Sequence, residues 1–131
     1  MCVDPWDNTD QHGIAYERFL ANVVETGLAE RVTVRRARSS AVLGDLPART
    51  FDFIYVDGEH TEEGSAHDTE HALRLVKPDG IVAWDDVFFY TPGVTPHVIA
   101  GIARGMTAAG IERKCIVQIN ACAVLFRGCL P

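Results

Sequence analysis

The 131-residue chain is predicted to fold as an α/β domain, a mostly parallel sheet with helices on both faces. Three observations predict it. Strand-like and helix-like stretches alternate along the chain, which is the pattern of strand–helix–strand units. The runs Phe53–Val56 and Ile81–Trp84 are continuously apolar, the signature of strands covered on both faces. Each such run ends in acidic or polar residues, so the chemistry gathers at one end of the sheet.

The elements follow in order. Met1 to Val3 is a short apolar start, and Asp4-Pro5-Trp6 ends it because proline cannot donate to a ladder. Asp7 to Gln11 is turn-like. Ile14, Phe19, Val23 and Val24 recur at helical spacing, with Gly27 as the C-cap and Leu28 as the apolar residue behind it. Val32 to Arg36 reads as a strand, and a short helix is expected after Ser39 or Ser40 as N-cap, running to Leu46-Pro47. Phe51 to Val56 is the clearest strand. Thr61 caps the next helix, with Glu62 and Glu63 at its positive end and Ala66, Leu73 and Val76 as its buried stripe around Thr69. Lys77-Pro78-Asp79-Gly80 is expected to stop that helix as a turn. Ile81 to Trp84 is a strand ending at Asp85-Asp86. Val94 to Ala109 is expected to be a helix despite Gly101 and Gly105. Lys114–Ile119 and Cys122–Arg127, joined at Asn120-Ala121, are expected to form an antiparallel hairpin.

Composition bounds the function. The chain is 47% hydrophobic and 23% charged, enough apolar material for one core, so a single domain over residues 1–131 is expected. A net charge of -6 argues against nucleic acid as a partner, because phosphate binding needs a basic surface. Arg35, Arg36 and Arg38 are too few to reverse that and read as solvated charges at a strand end. Cys2, Cys115, Cys122 and Cys129 form no C-x-x-C pair, so they read as reduced thiols in a cytoplasmic protein rather than a zinc site. No apolar run is long enough to cross a membrane, and the N-terminus lacks the basic and apolar regions of a signal peptide.

The chemistry rests on spacing. Asp57 and Asp85 are 28 residues apart (85 − 57), about the length of one strand–helix–strand unit. Consecutive strands of such a unit usually lie side by side, so Asp57, Asp85 and Asp86 should share one crevice. Three neighbouring carboxylates repel unless a cation joins them, and oxygen donors suit Mg²⁺. His60, three residues after Asp57, can point into the same cleft as a general base. A strand-end aspartate is more often a cap or turn former, and a loop histidine is usually structural. The joint arrangement favours function. Asp4, at the tip of the first strand, can accept hydrogen bonds from both ribose hydroxyls of a nucleotide. His67 and His71, four apart on the helix, read as solvated surface. Trp6, Trp84 and Phe88 to Tyr90 are candidates for a cleft wall, with core packing equally suited to Trp84.

At these residues the sequence resembles a known family. Phe51-Asp52-Phe53-Ile54-Tyr55-Val56-Asp57-Gly58-Glu59-His60-Thr61 and Leu75-Val76-Lys77-Pro78-Asp79-Gly80-Ile81-Val82-Ala83-Trp84-Asp85-Asp86 resemble the class I S-adenosylmethionine-dependent methyltransferases. The nearer likeness is to the group with an aspartate–glycine–x–histidine motif, which includes small-molecule and sugar O-methyltransferases. The resemblance implies a Rossmann-like three-layer fold, S-adenosylmethionine as methyl donor and a small-molecule hydroxyl as acceptor. It implies that Asp57, Asp85 and Asp86 bind Mg²⁺, that His60 is the base, and that Asp4 holds the cofactor ribose. Arg38-Ser39 then falls near the adenine, and Asp57 borders the cofactor as well.

The family's first strand and its glycine-rich loop precede the position of Asp4, where this chain has three residues, and no G-x-G-x-x-G segment occurs anywhere. The expectation is therefore an N-terminally truncated fragment, or a rearranged sheet in which the family's second strand pairs directly with its fourth. Exposed sheet edges would also allow pairing with a second copy of the chain. Two rival functions stand beside the methyltransferase: a non-catalytic remnant or interaction module, and a metal-dependent hydrolase using the same carboxylates.

Overall fold

The computed structural model describes residues 1–7, 14–88, 97–111, 116–119 and 122–125. Expectations for Phe89, Tyr90, Val94, Lys114, Cys115, the Asn120-Ala121 turn, Arg127 and Cys129 fall outside them. The elements run β1 (Cys2–Asp4), α1 (Ala15–Glu25), β2 (Val34–Arg36), α2 (Ser39–Val42) with a 3₁₀ turn (Leu43–Asp45), β3 (Phe51–Val56), α3 (Glu62–Leu75), β4 (Val76–Trp84), α4 (His97–Ala108), β5 (Ile116–Ile119) and β6 (Cys122–Leu125). The alternating strands and helices expected from the sequence are present. The chain divides into two compact units, Met1–Leu43 and Gly44–Pro131.

In the first unit β1 and β2 pair in parallel, Cys2 opposite Val34 and Asp4 opposite Arg36. Helix α1 ends as the Gly-Leu pair predicts. Gly27, at φ 70, donates its N–H to Val24 O, and Leu28 donates to Val23 O. These two bonds form a Schellman motif, which satisfies carbonyls the helix leaves open. Trp6 packs on Tyr16 and Phe19, with ring centroids 5.0 and 5.1 Å away, and the Arg36 guanidinium lies 4.4 Å above the Tyr16 ring. The short helix begins one residue earlier than expected. Arg38 occupies the N-cap and makes no side-chain capping bond, so neither serine caps it.

In the second unit the sheet order is β3-β4-β6-β5. β3 and β4 are parallel, and β6 pairs antiparallel with both β4 and β5, so the expected terminal hairpin is present. The β1-β2 pair of the first unit forms a two-stranded sheet of its own. The core is built from Ala72, Leu73, Val76, Val82, Trp84, Val87, Val98, Ile102, Met106 and Ile111. Trp84 is 1% exposed, and its indole N–H donates to Thr69 Oγ1 at 3.0 Å, so a buried donor is matched by a buried acceptor.

Gly101 and Gly105, which weaken the helix by propensity, have a packing reason. A Cβ on Gly101 would lie 2.5 Å from Glu62 O, and one on Gly105 would lie 2.7 Å from Ala66 O. Helices α3 and α4 therefore meet backbone to backbone, a closeness that only glycine allows.

Two expectations are corrected. Lys77–Gly80 does not end helix α3 as a separate turn; it lies within β4. The pairing steps from Phe51↔Val76 to Phe53↔Ile81, so three extra residues are accommodated as an irregularity in one strand. Second, β3 is not covered on both faces. Phe53 and Tyr55 are 57% and 52% exposed, while Ile54 and Val56 pack on the core. Within its sheet β3 is an edge strand, and its apolar run hides a one-sided burial pattern.

Candidate functional site

The parallel pairing of β3 with β4 places Val56 opposite Trp84, and the Asp85 N–H continues the ladder to Val56 O at 2.9 Å. The residues after the two strands, Asp57 to His60 and Asp85-Asp86, thus emerge together at the carboxyl end of the sheet. The loop from Asp57 to His60 is fixed from below. Thr61 caps α3, its Oγ1 accepting from Gly64 N at 3.0 Å, and Ser65 Oγ donates to Glu59 O at 3.0 Å. A Cβ on Gly58 would collide with the carboxylate of Asp68, a residue only 5% exposed on α3. Asp68 in turn meets His67 Nδ1 at 3.2 Å. The glycine of the aspartate–glycine–x–histidine run therefore has a steric cause.

At the rim, His60 Nε2 lies 3.8 Å from Asp57 Oδ1 and 3.6 Å from Asp86 Oδ2. One ligand atom from each of Asp57, His60 and Asp86 falls within 4.8 Å of the others, a group of the size a metal ion can join. Two oxygens and an imidazole nitrogen suit a borderline divalent ion such as Mn²⁺ at least as well as Mg²⁺, which favours all-oxygen sets. The set expected from sequence was Asp57, Asp85 and Asp86, with His60 beside it.

Asp85 faces a different set of partners. Its Oδ2 accepts from the Tyr55 hydroxyl, and its Oδ1 accepts from the Asp86 N–H at 2.9 Å and from Cys122 Sγ at 3.2 Å. These donors, Tyr55 first, hold the Asp85 carboxyl below its ordinary range. The same carboxylate pushes the Tyr55 phenol up to about 12 and raises the Cys122 thiol. Asp86 sits at φ 47, a left-handed conformation that aspartate tolerates better than most residues.

The cofactor candidates of the first unit lie at the carboxyl end of its own parallel pair. Asp4 Oδ1 accepts the Trp6 N–H at 2.5 Å, and Trp6 is held at φ 48. Arg38 reaches Asp7 Oδ2 at 2.6 Å, and Ser39 opens α2. In the second unit, a cavity of about 10 Å³ beneath Gly58 and His60 borders Asp68 and Trp84. That is close to the least a single water needs and far below a substrate pocket. Cys2 and Cys122 are free thiols.

Sequence reasoning missed Tyr55, Cys122 and Asp68. Tyr55 carries a signal, since it stands two residues before Asp57 on the same face of an alternating strand. Cys122 and Asp68 carry none, because each reaches the rim only through tertiary contacts.

No helix among the described residues is long and apolar enough to cross a membrane. A search of curated proteins returns no match. Solved structures share the fold. A Corynebacterium glutamicum protein superposes with a TM-score of 0.68 at 16% identity, covering 96% of this chain and 59% of that one. The O-methyltransferase TomG from Streptomyces achromogenes, involved in tomaymycin synthesis and solved with SAM, gives 0.62 at 19% identity, with 96% and 60% covered. An O-methyltransferase from Bacillus cereus, solved with SAH, gives 0.62 at 18%, with 91% and 60% covered. The chain spans about three-fifths of the length of each of these proteins. The family described as "Methyltransferase domain" matches residues 1–87, two-thirds of the sequence, and the chain belongs to that family.

Proposed function

We propose that this chain carries the acceptor-side chemistry of an S-adenosylmethionine-dependent O-methyltransferase acting on a small-molecule hydroxyl. The observation that carries the reading is the meeting of Asp57, His60 and Asp86 at the shared end of β3 and β4. Family membership and the fold shared with O-methyltransferases solved with SAM or SAH support the methyl donor.

The reaction needs little covalent work from the protein. S-adenosylmethionine, as co-substrate, supplies a sulfonium methyl group. The acceptor oxygen forms a bond to that carbon, the carbon–sulfur bond breaks, and sulfur keeps the electron pair as a thioether. The hydroxyl proton leaves to His60 Nε2. Asp57 and Asp86 flank that nitrogen and stabilise the imidazolium that forms. Holding the two reactants in line supplies much of the rate. Asp4, with Arg38 and Ser39, is proposed to receive the ribose and adenine of the donor, because an acidic group at a strand tip matches two vicinal hydroxyls.

A second reading is favoured by the convergence of the three ligand atoms. Asp57, His60 and Asp86 would hold a divalent cation, Mn²⁺ or Mg²⁺, which when bound orients and acidifies a substrate hydroxyl. His60 Nε2 cannot bind a cation and accept a proton at once, so the two readings exclude each other at that atom.

Calorimetric titration with S-adenosylmethionine tests the donor; micromolar binding is expected, and silence would leave a non-catalytic module. Methyl transfer to a panel of small hydroxyl compounds then separates the two readings. A proton-accepting His60 predicts turnover that survives EDTA and falls by about 10²–10⁴-fold in His60→Ala. Turnover that EDTA abolishes and Mn²⁺ restores would overturn the base role in favour of the cation.

A further inference from the structure

Two carboxylates follow β4, and they meet different partners. Asp86 approaches Nε2 to 3.6 Å, while Asp85 is engaged by Tyr55, Cys122 and the Asp86 N–H. The backbone accounts for the difference. Asp86 sits at φ 47, and a left-handed residue two positions past a strand sends its side chain in a direction that an extended residue could not. The bond from the Asp86 N–H to Asp85 Oδ1, at 2.9 Å, spans that turn. Asp85 can accept it only if its carboxylate stays in one rotamer. Two donors from two other strands hold that rotamer, the Tyr55 hydroxyl of β3 and the Cys122 thiol of β6.

We infer that Tyr55 and Cys122, acting through Asp85, are positioning residues that aim Asp86 at His60. The clamp joins three neighbouring strands, β3, β4 and β6, at their shared end. It gives Asp85 a role distinct from that of Asp86, although the two are identical in kind and adjacent in sequence. It also gives a strand tyrosine and a hairpin cysteine a part in the site. The consequence for chemistry rests on the proposed site; the geometric claim stands without it.

The test uses the whole chain with Tyr55→Phe, Cys122→Ala and the double variant, with Cys122→Ser as the conservative rescue. Hydrogen exchange and the three-bond amide coupling of Asp86, read by nuclear magnetic resonance, report the turn itself. Titration with Mn²⁺ alone, followed by electron paramagnetic resonance, reports whether Asp57, His60 and Asp86 still converge. The wild-type Asp86 amide should be protected and its coupling that of a positive φ. In the double variant that protection should be lost and the coupling should change, while amides of β4 stay unchanged. Cys122→Ser should retain more protection than Cys122→Ala. Mn²⁺ affinity should fall about tenfold in the double variant, the usual effect of removing an outer partner of a ligand. An unchanged Asp86 amide in the double variant would overturn the clamp, whatever Mn²⁺ does. Mn²⁺ affinity unchanged by Asp86→Ala would instead count against the cation reading, and the clamp would still be judged by the amide.

Discussion

The two units of this chain are built to different standards. Among the described residues every buried side chain belongs to the second unit, Gly44–Pro131, and the first, Met1–Leu43, has none. The first unit relies on a two-stranded ladder, one Schellman cap and an aromatic cluster on Trp6. The second adds two helices in backbone contact and an indole sealed by its own hydrogen bond. Free energy follows buried apolar area, so the Asp57–His60–Asp86 rim stands on the better supported base. The cofactor-side candidates Asp4, Arg38 and Ser39 stand on the weaker one. Local opening should therefore differ between the units, with low-energy opening in the first.

Substitutions can break or sharpen that contrast. The largest effect should come from Trp84→Ala, which empties the core and strands Thr69. A loss of about 3–5 kcal/mol is expected, read as a lower urea midpoint by far-UV circular dichroism. Gly105→Val forces a side chain into the α3 backbone and should cost about 1–3 kcal/mol or more by the same measurement. Thr61→Ala removes the cap of α3 and should cost about 1 kcal/mol. It should also hasten exchange of the Gly64 amide, which loses its acceptor.

Alkaline titration should have a smaller effect, since the groups are exposed. Tyr55 is raised to about 12 by its bond to Asp85, so the neutral phenol is the favoured form in the fold. The stability it brings is complete below the ordinary phenol range and is lost as pH rises through about 12. Absorbance at the phenolate band should show one tyrosine ionising late, and Asp85→Asn should bring it earlier. No shift in that variant would mean that the Asp85–Tyr55 bond does not form in solution. The smallest effect should be Val24→Ser on α1, a side chain 68% exposed, within about 0.5 kcal/mol. A cost above 1 kcal/mol there would show that the first unit buries more in solution than this structure does.

What the sequence revealed, and what it hid, follows the same physics. Residues whose role is local were legible. The Phe51–Val56 strand, the Thr61 cap, the Gly27-Leu28 helix end and the antiparallel hairpin all follow from short-range rules. The 28-residue spacing also brought Asp57 and Asp85-Asp86 to one sheet end. That Asp85 and Asp86 meet different partners was not legible, because one backbone dihedral at Asp86 and donors from β3 and β6 set those contacts. The exposure of Phe53 and Tyr55 was hidden for a related reason. An apolar run reports that a strand can be covered, and only the tertiary arrangement decides which face is. Lys77-Pro78-Asp79-Gly80 carries strong turn chemistry, yet pairing with β3 absorbed it as an irregular stretch of strand.

That irregular stretch has a practical consequence. It lies where β4 begins, and the Asp57–His60–Asp86 rim lies where β4 ends, so the sheet has one forgiving margin and one exacting margin. Extra residues or a reporter tag spliced between Pro78 and Asp79 would lengthen a detour that already exists. The same splice after Trp84 would dislocate the rim.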